Sequence, residues 1–111
     1  MSFNILGDSL IKRTAQQQYE AGYGHLKQYM SPKERAAYLA DSENGSRFIG
    51  HAVHRATADV LEQTYPGRFD YNATRKFDFL DYDSGQMIEL TTVKGVRTHQ
   101  DRGADIVTYG F

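Results

Sequence analysis

The 111-residue chain contains no cysteine, no tryptophan and only two prolines. Without cysteine it forms no disulfide, offers no thiolate nucleophile and builds no Cys-based zinc site. No apolar run approaches the roughly 20 residues that cross a bilayer, so no membrane span is expected. The first residues, MSFNILGD, lack the charged start and long apolar core of a signal peptide. If the protein is exported, it is expected to travel as part of something larger or by a route not written in these residues. An excess of one charge is also missing. The formal net charge of -1 argues against a polybasic nucleic-acid binder and leaves room for a local basic patch.

What is present is a modest apolar content of 40%, with eight Tyr and six Phe to supply much of the packing. The length suits one domain, 1–111. After a frayed arm at Met1–Gly7, Asp8 or Ser9 is placed to cap a helix running to about Gly22, with Leu10, Ile11, Ala15 and Tyr19 at helical spacing. His25–Met30 reads as a short helical turn or a loop. Ser31-Pro32-Lys33-Glu34 is a strong helix start, with a capping Ser, Pro in the first turn and Glu reaching back to the cap. That helix runs to about Ala40. Asp41–Gly45 is a polar turn, and Ser46 is expected to cap a helix from Arg47 to about Thr64. Its stripe of Ile49, Ala52, Val53, Ala56, Val60 and Leu61 is the clearest helical period in the chain.

Pro66-Gly67 stops that helix, and the pattern switches to period two. Arg68–Tyr71, Lys76–Tyr82, Gln86–Thr92 and Asp105–Phe111 read as strands, with a polar stretch at Gly95–Gly103 that can hold a helical turn. Helices first and strands after give an α+β domain, with N-terminal helices packed on a small mixed, mostly antiparallel sheet.

The stretch KFDFLDYDSGQMIELTT, Lys76–Thr92, sets acids among large apolar residues. Glu89 stands between Ile88 and Leu90, where a carboxylate is costly unless paired or ligated. Two carboxylates brought together at a sheet end hold Mg²⁺ or a similar hard cation, which activates water and offsets phosphate charge. Asp78 and Glu89 are the expected metal pair. Alternation alone accounts for both acids as solvent-facing members of a half-buried sheet. Register decides the partner. An even loop sets Asp78 across from Glu89, whereas a three-residue loop of Asp83–Gly85 sets Glu89 opposite Phe79 and makes Asp81 the partner.

Other chemistry-bearing residues lie nearby in the sequence. His51 and His54 are three apart on the long helix. His54, at the edge of its apolar stripe, can serve as general base or phosphate contact, or bond a backbone carbonyl as a partly buried residue. A His-X-X-His zinc pair lacks an obvious third ligand. His99 lies among Lys94, Arg97 and Arg102, a cationic cluster where a phosphate backbone can rest.

The segments GHAVHRATADVLEQTYPGRFDY, KFDFLDYDSGQMIELTT, THQDR and IVTYGF resemble the C-terminal toxin domains of Rhs-type and contact-dependent-inhibition effectors. More broadly, they are similar to the PD-(D/E)XK restriction-endonuclease-like nucleases. In that superfamily a helix packs on a mixed sheet, one strand carries an Asp, and the next carries Glu-X-Lys. Phe77-Asp78 matches the Pro-Asp position and Glu89-Leu90-Thr91 matches Glu-X-Lys, with Thr91 in place of the lysine. The resemblance covers about residues 47–111; residues 1–46 form a helical N-terminal part outside it. It implies a restriction-endonuclease-like fold and metal binding by Asp78 and Glu89, with Mg²⁺ first and Mn²⁺ or Zn²⁺ as alternatives. It implies that Lys94 or Lys76, or the hydroxyls of Thr91 and Thr92, take over the lysine's role. An acid on the preceding helix, Asp59 or Glu62, sometimes completes such a site. It further implies secretion as the C-terminal part of a larger effector, action in a target-cell cytoplasm, a DNA or RNA substrate and a cognate immunity protein.

Three functions are thus expected in order. The first is a metal-dependent endonuclease toxin using Asp78 and Glu89, supported by Thr91, Lys94, His54 and His99. The second is a metal-independent ribonuclease using His54 and His99 with Thr92 and Lys94, since acid–base cleavage through the 2′-hydroxyl needs no metal. The third is a non-catalytic interaction or immunity-type domain whose acids form a binding face.

Overall fold

The structure, a computed structural model, describes residues 6–41, 43–96 and 103–110. Four α-helices precede a four-stranded sheet: α1 Gly7–Ala21, α2 Tyr23–Leu26, α3 Pro32–Ala40, α4 Ser46–Thr64, then β1 Phe69–Tyr71, β2 Phe79–Asp81, β3 Gln86–Thr92 and β4 Asp105–Tyr109. The α+β class expected from the element order is the one observed. The sheet runs β1-β2-β3-β4. The first three strands form an antiparallel meander, and β4 lies parallel to β3. A parallel neighbour needs a connection of about a dozen residues rather than a tight turn.

α1 and α4 are amphipathic. Buried α1 positions Leu10, Ile11, Thr14, Ala15 and Gln18 and buried α4 positions Ala52, Val53, Ala56, Thr57 and Leu61 recur at helical spacing. They join Phe79, Ile88, Leu90, Val107 and Tyr109 from the strands, with Leu26 and Met30, in one core. Each large side chain so buried contributes about 1.5–3 kcal/mol. The α3 capping box forms as expected: the Ser31 hydroxyl accepts from Glu34 N at 3.1 Å, and Glu34 Oε1 accepts from Ser31 N at 2.9 Å.

Four local expectations need correction. Ser46 does not cap α4; Gly45 does, without a side-chain bond. A Cβ on Gly45 would stand 2.8 Å from the Asp41 carbonyl oxygen and 3.0 Å from the Tyr38 ring. Neither Asp8 nor Ser9 caps α1, which begins at Gly7 after Leu6. There a Cβ would collide with the Asp81 carboxylate, and an acid at this end suits the helix dipole. The strand expected over Lys76–Tyr82 shortens to Phe79–Asp81, since the regular pairing starts only at Phe79, and Arg75 gathers the incoming chain. Its guanidinium donates to Phe77 O at 3.0 Å, Asp70 Oδ2 at 2.8 Å and Asp70 O at 2.7 Å. The last strand ends at Tyr109.

Candidate active site

A cleft of about 910 Å³ opens between α4, the β1–β2 connection and the C-terminal ends of β3 and β4; His54, Asp78, Glu89, Thr91, Lys94 and Tyr109 are among its lining. The expected residues that fall within the described chain therefore converge. His99 lies outside the described residues, as do Arg97 and Arg102.

Register removes Asp81 as the cross-strand partner of Glu89. Phe79 pairs with Ile88, Leu80 with Met87 and Asp81 with Gln86, so Tyr82–Gly85 forms a four-residue connection. Continued by one residue this register would set Asp78 against Glu89, but the regular pairing stops at Phe79. The ladder yields at this point. Asp78 N donates to Ile88 O at 3.1 Å, while the Asp78 carboxylate takes the Leu90 N–H at 2.8 Å through Oδ2. A side chain thus substitutes for a backbone acceptor where β2 parts from β3. No hydrogen bond reaches Asp78 Oδ1 among the described residues. Glu89 is only 3% exposed, an acid committed to the interior.

Asp81 is removed from this site. It sits at the other end of β2, fully buried, and accepts from Arg68 Nε at 3.1 Å, Asp83 N at 3.1 Å and Ser84 Oγ at 3.0 Å. Its work is to fix the β2–β3 turn, where Gly85 adopts φ 74°, a conformation open to glycine without a steric cost.

His54 is wedged between α4 and β3. Nδ1 lies 2.7 Å from Gly50 O and Nε2 lies 2.6 Å from Leu90 O; Nε2 is also 3.3 Å from Asp78 Oδ2. Carbonyls only accept, so both contacts are hydrogen bonds when the ring carries a proton on each nitrogen, as an imidazolium. Burial opposes that charge. The Asp78 carboxylate and the two carbonyls outweigh it and hold the His54 pKa above its ordinary value. With both nitrogens committed, His54 is poorly placed to take a proton from a substrate. It closes a ring instead: His54 donates to Leu90 O, Leu90 N donates to Asp78, and Asp78 faces His54.

The other candidates divide. Thr92 Oγ1 accepts from Gly95 N at 3.2 Å and caps the turn at Val93–Gly95. Thr91 is buried beneath Gly95, which has no room for a Cβ over the Thr91 hydroxyl. Lys94 lines the cleft from an exposed position. Lys76 is exposed and is not part of the lining. His51 lies 3.5 Å from Glu34 Oε2, while both ring nitrogens of His54 are engaged by carbonyls, so the two histidines are not posed as a zinc pair. Asp59 accepts from Tyr29 Oη at 2.7 Å and Gln63 Nε2 at 2.9 Å, and Glu62 from Gly67 N at 3.3 Å; neither lines the cleft.

Sequence reasoning missed Arg75 and Tyr109. The only local signal for Tyr109 is indirect, a glycine in the middle of α4 at Gly50, opposite its hydroxyl.

Among the described residues no group of three His, Asp or Glu converges, which falls short of the three or four protein ligands that zinc takes. Mg²⁺ and its analogues retain several waters and need only one or two carboxylates besides substrate phosphate. Comparisons with protein-family models, curated proteins and solved structures returned no match for this chain.

Proposed function

We propose that the cleft is the active site of a metal-assisted nuclease that hydrolyses phosphodiester bonds of DNA or RNA. The observation that carries this is that Asp78 and Glu89 line one cleft, with Asp78 bonded to Ile88 O and Leu90 N on either side of Glu89 and with Arg47 and Lys94 also in the lining. Two acids can hold a cation, and the surrounding positive charge favours a polyanion. The mixed sheet with α4 packed on it, with Asp78 just before β2 and Glu89 on β3, is in keeping with the restriction-endonuclease-like resemblance.

Asp78, through its Oδ1, and Glu89 would hold the metal. A divalent cation bound there supplies a polarised water and offsets charge on the phosphate. His54 fixes the carboxylate of Asp78 through its own charge and through Leu90, and so takes a positioning role. Lys94 contacts the backbone of the nucleic acid. Arg75, whose donors are already engaged by Asp70 and Phe77, holds the cleft wall. The metal-independent ribonuclease has less support, because the ring nitrogens of His54 are both taken.

The biological setting follows the resemblance: a toxin domain carried at the end of a larger effector, acting in a target-cell cytoplasm and neutralised by an immunity protein. Expressing the chain with and without Glu89→Ala in a bacterial host, then inspecting host DNA and tRNA, tests both activity and setting. Nucleic-acid degradation and growth arrest that depend on Glu89 are expected. Equal damage from both chains would remove Glu89 from the chemistry.

A further inference from the structure

The cleft contains a polar group to which neither the sequence nor the acid pair assigns a task. Tyr109 is 2% exposed, yet its side chain lines the cleft. Its ring stands edge-on to His54, with centroids 6.4 Å apart and planes at 81°, and tilts against Tyr19 at 5.7 Å. The hydroxyl points towards Gly50 of α4; a Cβ built on that glycine would lie 3.5 Å from Oη. No hydrogen bond engages Oη among the described residues, although a buried tyrosine hydroxyl ordinarily finds one.

The strand that carries it is pinned on both sides. Thr92 is its partner on β3. Lys12 Nζ donates to Thr108 O at 2.9 Å, and Gly110 N donates to Gln16 Oε1 at 2.7 Å. The phenol is therefore held in place, next to the His54–Asp78 pair, with a donor left over.

We infer that Tyr109 Oη donates a hydrogen bond to an oxyanion bound in the cleft, a non-bridging phosphate oxygen of the nucleic-acid substrate. This rests on the nuclease assignment above and adds a substrate-contacting residue from β4. Burial and the nearby Tyr19 and Asp78 push the Tyr109 pKa up to about 12. The phenol stays neutral across the working range, as a donor to an anion must. Gly50 acquires a reason. Glycine inside a helix costs roughly 1 kcal/mol against alanine, and here its missing methyl leaves Oη uncovered.

The test compares Tyr109→Phe, which removes only the oxygen, with Gly50→Ala, which keeps the oxygen and sets a methyl against it. Two readouts are used: cleavage of an oligonucleotide with Mg²⁺, and binding of inorganic phosphate followed by NMR chemical-shift titration without metal. Loss of one hydrogen bond to a charged acceptor weakens binding or kcat/KM by roughly ten- to a hundredfold. Both variants are expected to lose phosphate affinity and cleavage rate, and Gly50→Ala to do so with an unchanged or raised melting temperature. Wild-type phosphate affinity in Tyr109→Phe overturns the inference, whatever happens to cleavage. If instead Tyr109→Phe weakens phosphate binding while Glu89→Gln leaves cleavage intact, the oxyanion contact stands and the metal-assisted assignment fails.

Discussion

The His54–Asp78 pair gives the sharpest quantitative expectation. Their side chains are 20% and 14% exposed, and Nε2 stands 3.3 Å from Oδ2. At that distance and an effective dielectric near 20, opposite unit charges attract by ~5 kcal/mol before desolvation. Burying both groups takes back more than half of that, and what remains is the usual net worth of a charge-assisted hydrogen bond, about 2 kcal/mol. Asp78→Asn keeps an oxygen for the Leu90 N–H and removes the charge; His54→Ala removes the ring. Urea denaturation of the wild type, both single variants and the double variant isolates their coupling. The expected coupling is about 2 kcal/mol, in the sense that the second change costs less once the first is made. The ring ¹⁵N shifts of His54 at pH 7 should show both nitrogens protonated in the wild type, less so in Asp78→Asn. Additive losses, or a neutral ring in the wild type, would refute the charged ring of hydrogen bonds.

Three further outcomes follow from the same geometry. Thr57 is fully buried and its hydroxyl makes no hydrogen bond among the described residues, so Thr57→Val, of nearly equal shape, should raise stability by about 1 kcal/mol in a denaturation curve; a loss of that size would mean the hydroxyl is satisfied. Asp81→Asn removes the buried carboxylate facing Arg68 and leaves Asp83 at 3.5 Å, so it should cost about 2 kcal/mol, read as a fall in the denaturation midpoint with little change in slope, and a cost near zero would contradict the ion pair. Glu34 joins α3 to α4 through Arg55 Nη1 at 2.8 Å, and its carboxyl is lowered from 4.5 to about 2 by the Arg55 hydrogen bond first. A group with a depressed folded pKa stabilises above its unfolded value and loses that contribution as pH falls through the folded one. Acid titration of the wild type should therefore show stability declining between pH 4.5 and 2, and Glu34→Gln should flatten that decline.

How far the sequence could be read depends on whether a feature is local. The stripe Ala52, Val53, Ala56 and Leu61 and the box Ser31–Glu34 were legible because their period and spacing are written within a single element, and both formed. Strand length was less so. Lys76–Asp78 alternates like a strand, yet the regular pairing starts only at Phe79, and Arg75 gathers Asp70 through contacts that no period displays. Register turned on the parity of one connection. Counting Asp83-Ser84-Gly85 as the turn left two partners for Glu89, and the answer came from Asp81, whose buried carboxylate gathers Asp83 N and Ser84 Oγ and so adds Tyr82 to the turn. The direction of β4 had no local signal. A parallel neighbour is a property of the return path over the sheet, and with it went Tyr109, which reaches the cleft only because β4 runs alongside β3 as far as Thr92. His54 was legible as a candidate from its place on the stripe, but its role was not, since Gly50 O and Leu90 O approach it from two different elements.

The proposed site depends on Asp78 and Glu89 acting together as a metal-dependent phosphodiesterase centre. Its most direct test is cleavage of supercoiled DNA and of total RNA by the purified chain, in Mg²⁺ and in EDTA, beside Asp78→Asn and Glu89→Gln. Cleavage of at least one substrate by the wild type in Mg²⁺, abolished by EDTA and by each substitution while the fold is retained, is the predicted result. Cleavage that persists in EDTA, or that survives loss of Glu89, would contradict it.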